Sequence, residues 1–367
     1  MAILILIVAL LAISCGEFDR SSQSSPTAPP DTFELCSVDT IGVGMGDSSY
    51  VFGTVMQASA GPEGTTYVLD MQRCLLSVFD EQGEIVRTLG GKGGGPGELQ
   101  LPMDFALLSD GGVAVNDLQA SRIFLYDAQG NYRDAIEGFF PVPPVSIAGG
   151  DDGRIVGQWH CMSTGEGQFS MREEICRWGT ESSEPLSVIR SMDIEVEMTS
   201  EGPRIGRGDQ LVFDASDNGD VFVAVVSPET YLVEGFDSGG QRFLTIERPW
   251  ERVPKTEEEM SRTGMGISVS RDNEGTTAET HPVENPVPWR NAIESIGVDG
   301  QDRIWVRLGS VPTPTFEVYD RSGEMLFVAR APALPQGCEI AVNEYGIVAF
   351  ERNPEDHPKV VRLELSE

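Results

Sequence analysis

A short unit of strands and glycine turns recurs along this chain and constrains its fold more than any other feature. In residues 103–136, an apolar strand, an Asp-Gly-Gly turn, a second strand and a third strand ending in Tyr126-Asp127 follow one another, and Gly130 then turns the chain into a fourth strand. Asp and Gly suit such turns, because Asp bonds the local backbone and Gly adopts positive φ. The unit reads as one four-stranded antiparallel meander.

The same unit recurs six times. The predicted blades span residues 52–89, 101–137, 145–190, 209–247, 290–330 and 336–366. No unit buries both of its faces alone, so the six must close in a ring around an axial channel. The sequence therefore predicts an all-β fold, a six-bladed β-propeller over residues 32–367. Thr32–Val43 has strand character and is expected to close the ring as the outer strand of the last blade.

One stretch of the chain resembles a known repeat. Gly93–Pro102 begins with a glycine-rich turn and continues Gly-Glu-Leu-Gln-Leu-Pro, Val115–Asp117 reads Val-Asn-Asp, and Arg122–Gly130 contains Arg-Ile and then Tyr-Asp-Ala-Gln-Gly. This order closely resembles an NHL repeat over residues 90–131, and the whole chain resembles the six-bladed NHL-like lipoproteins of bacteria. The resemblance implies a fold far more than an activity. The glycines lack the Gly-Lys-Ser/Thr ending of a phosphate loop, which favours a turn between blades.

The first residues read as an export signal. Ala2–Ile13 is almost wholly apolar but shorter than the roughly 20 residues that a membrane-spanning helix needs. Leu11–Cys15 resembles the bacterial lipobox, in which the cysteine becomes lipidated and N-terminal. We expect a signal peptide in residues 1–14, a lipid anchor on Cys15, a flexible tether over residues 15–31 and a place in the cell envelope. The alternative is an ordinary cleaved signal peptide with an incidental cysteine.

The charge of the chain limits its partners. The 58 acidic residues outnumber the 26 basic ones, for a formal net charge of −32. Nucleic acid requires a basic footprint and is excluded as an expected partner. An electrostatic grip on anionic lipid is disfavoured for the same reason, so we expect contact with the membrane through the lipid only. The chain is expected to be a monomer.

Five further cysteines remain after Cys15. Cys161 and Cys176 flank a turn-rich stretch, so they either face each other across neighbouring strands as a disulfide or remain two thiols. The pairing of Cys36, Cys74 and Cys338 stays open. No pair has the CxxC spacing of a zinc or redox site.

Three polar residues are candidates for the mouth of the channel. Asp70 and Asp117 occupy equivalent positions at the ends of second strands, and His160 lies beside Trp159 at the end of another. Axial carboxylates hold calcium in lactone-hydrolysing six-bladed enzymes, so calcium is the candidate cofactor. In NHL-type repeats, however, the same Asp is often a structural turn residue. A packed or solvated histidine is the alternative for His160.

No complete catalytic constellation is recognisable, so a binding module is favoured over an enzyme. We expect a membrane-anchored module that presents a propeller face to a protein, peptide or glycan. The alternative is a calcium-dependent hydrolase or lyase acting at the channel mouth. The insertion at residues 249–289, with a helix predicted over Val253–Arg262, is a candidate lid or partner surface.

Overall fold

The computed structural model describes residues 30–140, 142–165, 168–199, 202–205, 208–271, 276–284, 287–352, 354 and 357–366. The predicted signal peptide, Cys15 and almost all of the tether therefore lie outside the described residues. Among the helices that the structure describes, none is long and apolar enough to cross a membrane.

The described chain forms six four-stranded antiparallel blades in a propeller. In chain order, the elements are β1 (Asp31–Ile41); blade 1 with β2 (Val55–Ala60), β3 (Thr66–Asp70), β4 (Leu75–Phe79) and β5 (Ile85–Gly90); blade 2 with β6 (Pro102–Leu107), β7 (Val113–Asp117), β8 (Arg122–Tyr126) and β9 (Tyr132–Glu137); blade 3 with β10 (Ser146–Gly149), β11 (Ile155–Gly165), β12 (Gln168–Trp178) and β13 (Ser187–Ile194); β14 (Val196–Thr199) and β15 (Gly202–Ile205); blade 4 with β16 (Gln210–Ala215), β17 (Val221–Val226), β18 (Tyr231–Phe236) and β19 (Arg242–Arg248); β20 (Val253–Pro254), α1 (Glu257–Ser261), β21 (Thr263–Arg271), β22 (Thr276–Glu284) and β23 (Trp289–Arg290); blade 5 with β24 (Ile293–Val298), β25 (Ile304–Leu308), β26 (Thr315–Tyr319) and β27 (Met325–Arg330); and blade 6 with β28 (Glu339–Asn343), β29 (Gly346–Phe350) and β30 (Val360–Leu365).

Strand β1 closes the ring. Its residues Leu35–Ile41 pair antiparallel with β30, so the N-terminal strand supplies the outer strand of blade 6, as predicted. Its first residues, Asp31–Glu34, also pair in parallel with Phe327–Arg330 of β27 in blade 5. Blades 5 and 6 consequently form one eight-stranded sheet, and the closure holds two blades rather than one.

The core lies between neighbouring blades. Every residue of the second strands β3 and β7 is buried, because both faces of these strands are covered by the adjacent sheets. Outer strands such as β9 are mostly exposed. This gradient explains why the middle strands are nearly continuous apolar runs in the sequence.

Arginine side chains join blades at their polar ends. The guanidinium of Arg177 in blade 3 donates to the carbonyl oxygens of Gly219 (2.5 Å) and Ser238 (2.8 Å) in blade 4. The guanidinium of Arg362 in blade 6 donates to Thr66 Oγ1 (2.7 Å) in blade 1. These charged donors form strong hydrogen bonds that connect each blade to the next.

The two faces of the propeller differ in their connections. Because each blade is a meander, the turns between its first and second strands and between its third and fourth strands lie on one face, which we call the turn face. The turns between second and third strands and the connections between blades lie on the opposite face, which we call the loop face. The long hairpin β11–β12, the hairpin β14–β15 and the segment β20–β23 all belong to loop-face connections.

The predicted helix over Val253–Arg262 is too long. Val253 and Pro254 instead pair with β23, and only Glu257–Ser261 is helical. The helix begins after Thr256, whose hydroxyl accepts from the Glu259 N–H while the Glu259 carboxylate accepts from the Thr256 N–H.

Candidate functional site

Asp117 ends the second strand of blade 2, as predicted. It lies on the loop face and is buried. Its carboxylate accepts hydrogen bonds from the backbone N–H groups of Gln100 (2.6 Å) and Leu101 (3.0 Å) in the connection that enters the blade. It also accepts from the N–H of Ala120 (2.8 Å) in the turn that follows. Asp117 therefore ties the entering connection to the next turn.

Asp70 has the same arrangement in blade 1. Its buried carboxylate accepts from the N–H groups of Gly53 (2.7 Å) and Thr54 (3.2 Å), and of Arg73 (3.1 Å) in the following turn. The lone pairs of both carboxylates are thus directed at backbone amides. This geometry fits the structural reading of the repeat Asp, and the reading as a calcium ligand at the channel mouth stays a prediction.

The equivalent residue of blade 3 is Trp159, and it makes the reverse contact. Its indole Nε1–H donates to the carbonyl oxygen of Val142 (2.9 Å), which lies in the connection that enters blade 3. The ring also packs edge-on against Trp178, with 6.1 Å between ring centroids. In all three blades, one side chain therefore holds the incoming connection.

His160 lies opposite Glu173 in the β11–β12 ladder, and its Nε2 is 3.7 Å from Glu173 Oε1. The buried Glu173 carboxylate also accepts from the side-chain amide of Gln158 and from the Leu211 N–H (2.8 Å) at the start of blade 4. Glu173 therefore connects blade 3 to blade 4. Asp70, Asp117 and His160 contact different partners in three different blades.

Cys161 and Cys176 are free thiols, so the disulfide alternative is not realised. Cys161 pairs with Arg172 and Cys176 with Gly157, which places the two cysteines four residue pairs apart in the ladder. That separation is about 13 Å at roughly 3.3 Å per residue, whereas the Cα atoms of a disulfide lie roughly 4.4–6.8 Å apart. Burial, with the Glu174 carboxylate 3.4 Å from its Sγ, raises the pKa of the Cys161 thiol to about 11.

The insertion is anchored over blade 5 by an ion pair. The Arg290 guanidinium donates to Glu259 Oε1 (2.9 Å) and Oε2 (2.9 Å), and also to the carbonyl oxygen of Ser310 (2.9 Å). Burial acts to raise the pKa of Glu259, but hydrogen bonds from Arg290, from the Thr256 N–H and from Gln336 outweigh it and lower the pKa to about 2. Helix α1 is therefore held on the loop face by a charge pair.

Two carboxylates on inner strands were missed by sequence reasoning. Asp104 accepts from Ser146 Oγ (2.6 Å) and from the Ile147 N–H (3.0 Å) of blade 3. Asp214 accepts from the Val298 N–H (2.8 Å) of blade 5, and burial raises its pKa to about 7. Each joins the innermost strands of adjacent blades. The available signal was a polar residue in an otherwise apolar first strand of the unit.

Among the residues that the structure describes, no group of three or more His, Cys, Asp or Glu side chains is arranged to hold a metal ion. A cleft of about 530 Å³ between blades 2 and 3 on the turn face is lined mainly by polar groups, including Asp110, Arg133, Asp152 and Glu181. Arg133 is paired with Asp110 at 2.9 Å. Small-molecule sites are typically concave and mostly apolar, and this cleft is neither enclosed nor apolar.

The chain is similar to known propellers. Residues 61–171 match a protein family described as a 6-bladed beta-propeller, which agrees with the six blades of the structure. A comparison with curated proteins found no match.

Solved structures resemble the chain over most of its length. An exported protein of Bacteroides fragilis is 13% identical, with 92% of this chain and 99% of that chain covered and a TM-score of 0.49. Virginiamycin B lyase from Staphylococcus aureus is 13% identical, with coverage of 91% and 100% and a TM-score of 0.44. The calcium-binding protein regucalcin from Agrobacterium tumefaciens is 11% identical, with coverage of 91% and 96% and a TM-score of 0.44.

Proposed function

We propose that this six-bladed β-propeller is an exported binding module, lipid-anchored through Cys15, whose loop face binds a protein, peptide or glycan. One observation carries the proposal: three extended connections, the hairpins β11–β12 and β14–β15 and the segment β20–β23, all arise from the same face. Long connections on a rigid scaffold are the usual carriers of recognition. The turn face has only short connections in blades 1 and 2 by comparison.

The position of the N-terminus indicates which face of the propeller a lipid anchor would hold near the membrane. Strand β1 begins at Asp31, which pairs with Phe327 close to the blade 5 turn at Asp320–Gly323, on the side of the turn face. A flexible tether of 16 residues has an end-to-end distance of about 22 Å. A lipid on Cys15 would therefore hold the turn face nearer the membrane and leave the loop face directed away from it.

Lipidation is tested with the full chain in the bacterium that expresses it. An alkyne fatty acid should label the wild type and a Cys36→Ala control, and both should fractionate with membranes. The Cys15→Ala variant should lose the label and leave the membrane fraction. Cys36 is the matched control because it is an exposed free thiol in the described part of the chain. Labelling that survives Cys15→Ala would rule out the anchor.

The binding face is tested with a photocrosslinking amino acid placed at one of two exposed glutamines. Gln100 lies on the loop face and Gln129 lies in the blade 2 turn on the turn face. We expect crosslinks to one defined envelope partner from position 100 and none to that partner from position 129. Equal crosslinking from both positions, or crosslinking from position 129 alone, contradicts the assignment of the face.

The calcium-dependent hydrolase or lyase lacks a supporting observation. The carboxylates on which it depended, Asp70 and Asp117, are directed at backbone amides. A matched-salt thermal melt of the full chain, with chelator and then with calcium, tests it directly. A calcium-reversible rise of several degrees in the melting temperature would restore this alternative, because a ligand that binds only the folded state stabilises it.

A further inference from the structure

A second cleft, of about 480 Å³, lies between the outer parts of blades 3 and 4, and we call it the double-arginine cleft. Its lining consists of Arg190, Glu234, Phe236, Gly240 and Arg242. The first of these residues lies on β13 of blade 3, and the other four belong to β18, to β19 and to the turn between them in blade 4. Because that turn is on the turn face, the cleft lies on the side of the propeller opposite the three long connections.

Two guanidinium groups converge on one carboxylate in this cleft. Arg190 Nε donates to Glu234 Oε2 (2.7 Å), and Arg242 Nη1 donates to Glu234 Oε1 (2.6 Å). The Glu234 side chain is only 6% exposed, so the carboxylate is buried between its two donors. The three groups together carry one net positive charge.

This excess of positive charge is exceptional in the described part of the chain. Every other ion pair between an arginine and a carboxylate there joins one arginine to one carboxylate. The whole chain has a formal net charge of −32, and a single arginine is enough to neutralise Glu234. The second guanidinium is therefore available to a further anion.

Arg242 keeps donors for such an anion. Its side chain is 57% exposed, and a guanidinium presents five N–H groups in a planar fork, of which only those on Nη1 face Glu234. A Cβ atom placed on Gly240 would meet no other atom within 4 Å, so the turn leaves this part of the cleft open. The carboxylate of the same turn, Asp237, accepts from the Gln241 N–H (2.8 Å) and so caps the turn.

We propose that the double-arginine cleft binds a phosphate group, carried by a lipid headgroup or free in solution. The planar fork of arginine matches phosphate oxygens bidentately, which makes arginine the residue of choice for phosphate recognition. The single net positive charge of the cleft matches the single negative charge of a phosphodiester. The cleft lies opposite the loop face, so phosphate binding does not depend on the function proposed for that face.

Apolar side chains beside the cleft favour the lipid headgroup as the source of the phosphate. Val188, two residues before Arg190 on β13, and Phe243, next to Arg242 on β19, are both exposed. Apolar and basic side chains together suit the boundary between lipid headgroups and acyl chains. The headgroup source rests on the proposed anchor at Cys15, which brings the turn face near the membrane, whereas phosphate binding itself does not.

Binding is tested by NMR titration of the full chain at pH 7 and constant ionic strength. The probes are inorganic phosphate, acetate and a short-chain phosphatidylglycerol below its micelle concentration. The reporter is the Gly240 amide, and the Gly130 amide in the equivalent turn of blade 2 is the reference. We expect saturable shifts of Gly240 alone with both phosphate probes, and tighter binding of the lipid. Equal affinities would assign the cleft to free phosphate. No saturable shift, or a shift with acetate alone, would overturn the proposal.

Variants separate phosphate binding from a purely structural ion pair. Arg242→Gln should weaken binding about tenfold, and Glu234→Gln should tighten it, because the carboxylate no longer competes for the two guanidinium groups. Arg133→Gln is the matched control, since Arg133 is also exposed but is paired one to one with Asp110, and it should bind like the wild type. Cys15→Ala should bind phosphate unchanged, whatever the outcome for the anchor. Wild-type affinity in Arg242→Gln, with its melting temperature showing a folded chain, would overturn the proposal even if Glu234→Gln fails to fold.

Discussion

In blades 1 and 2, an aspartate holds the connection that enters the blade, whereas in blade 3 a tryptophan holds it. Asp70 and Asp117 accept from backbone amides 16 and 17 residues earlier, whereas Trp159 donates to a carbonyl 17 residues earlier. The position is the same, the polarity of the contact is reversed, and the connection entering each blade is held in all three cases. A residue type that recurs at one position of a repeat should therefore be interpreted first as a contact that joins the blades, and only then as a ligand.

The largest effect is expected for Asp117→Ala. Three backbone amides lose their acceptor in a buried place, and each unsatisfied buried group costs about 1–3 kcal/mol, partly relieved by entering water. We expect the free energy of unfolding to fall by about 3–4 kcal/mol in urea denaturation. Asp127→Ala is the control, because Asp127 also accepts from backbone amides but in an exposed turn, and it should cost less than about 1 kcal/mol. Equal losses of stability in the two variants would show that Asp117 contributes no more through the connection entering blade 2 than Asp127 contributes through its exposed turn.

A smaller loss is expected for Asp70→Ala. The carboxylate accepts from the same three types of amide, but two of the bonds are longer, at 3.2 Å and 3.1 Å. We expect a decrease of about 2–3 kcal/mol in the free energy of unfolding. Neither variant should change the response of the melting temperature to calcium. A calcium response in the wild type that disappears in Asp70→Ala would instead assign this residue to a metal site.

Trp159→Phe tests whether blade 3 belongs to the comparison. Phenylalanine retains an aromatic ring against Trp178 but cannot donate to the Val142 carbonyl, so about 1 kcal/mol should be lost in the same urea assay. Trp159→Asp is the sharper variant. Its carboxylate would face a carbonyl oxygen, and we expect it to destabilise more than Trp159→Phe although it copies the residue of blades 1 and 2. A stable Trp159→Asp would mean that the incoming connection can reorient, and the comparison would fail.

The repeat and the closing strand could be predicted because strands and turns leave short, local patterns in the sequence. Strands with buried faces are apolar runs, and turns carry Asp and Gly at fixed distances, so both are visible without knowledge of the ring. The closing role of β1 followed from counting strands, but its parallel pairing with β27 did not, because a parallel pair leaves no turn in the sequence.

The inner carboxylates and the cysteine geometry required contacts between distant residues. Asp104 and Asp214 bond to the next blades, up to 84 residues away, so their partners appear only once the ring is closed. Cys161 and Cys176 seemed to flank a turn, but β11 extends to Gly165 and β12 begins at Gln168. Residues 162–165 and 168–175 are therefore strand rather than turn, and the register of the two strands places the two cysteines far apart.

The smallest effect on the free energy of unfolding is expected at the insertion. Blades 1 and 2 have no such insertion, and it is held by a charge pair instead of a buried aspartate. The folded-state pKa of Glu259 lies below its ordinary value, so its stabilisation is complete above about pH 4.5 and is lost as the pH falls through about 2. The NMR signal of the Glu259 amide, which donates to Thr256 Oγ1, should stay constant to about pH 3 and shift below it. Glu259→Gln should displace that signal already at pH 7, yet lower the free energy of unfolding by less than about 1 kcal/mol, because only α1 is released. The Val115 amide of blade 2 is the reference for global unfolding. An inflection near pH 4.5, or a simultaneous shift of Val115, would show that the ion pair with Arg290 does not anchor the insertion locally.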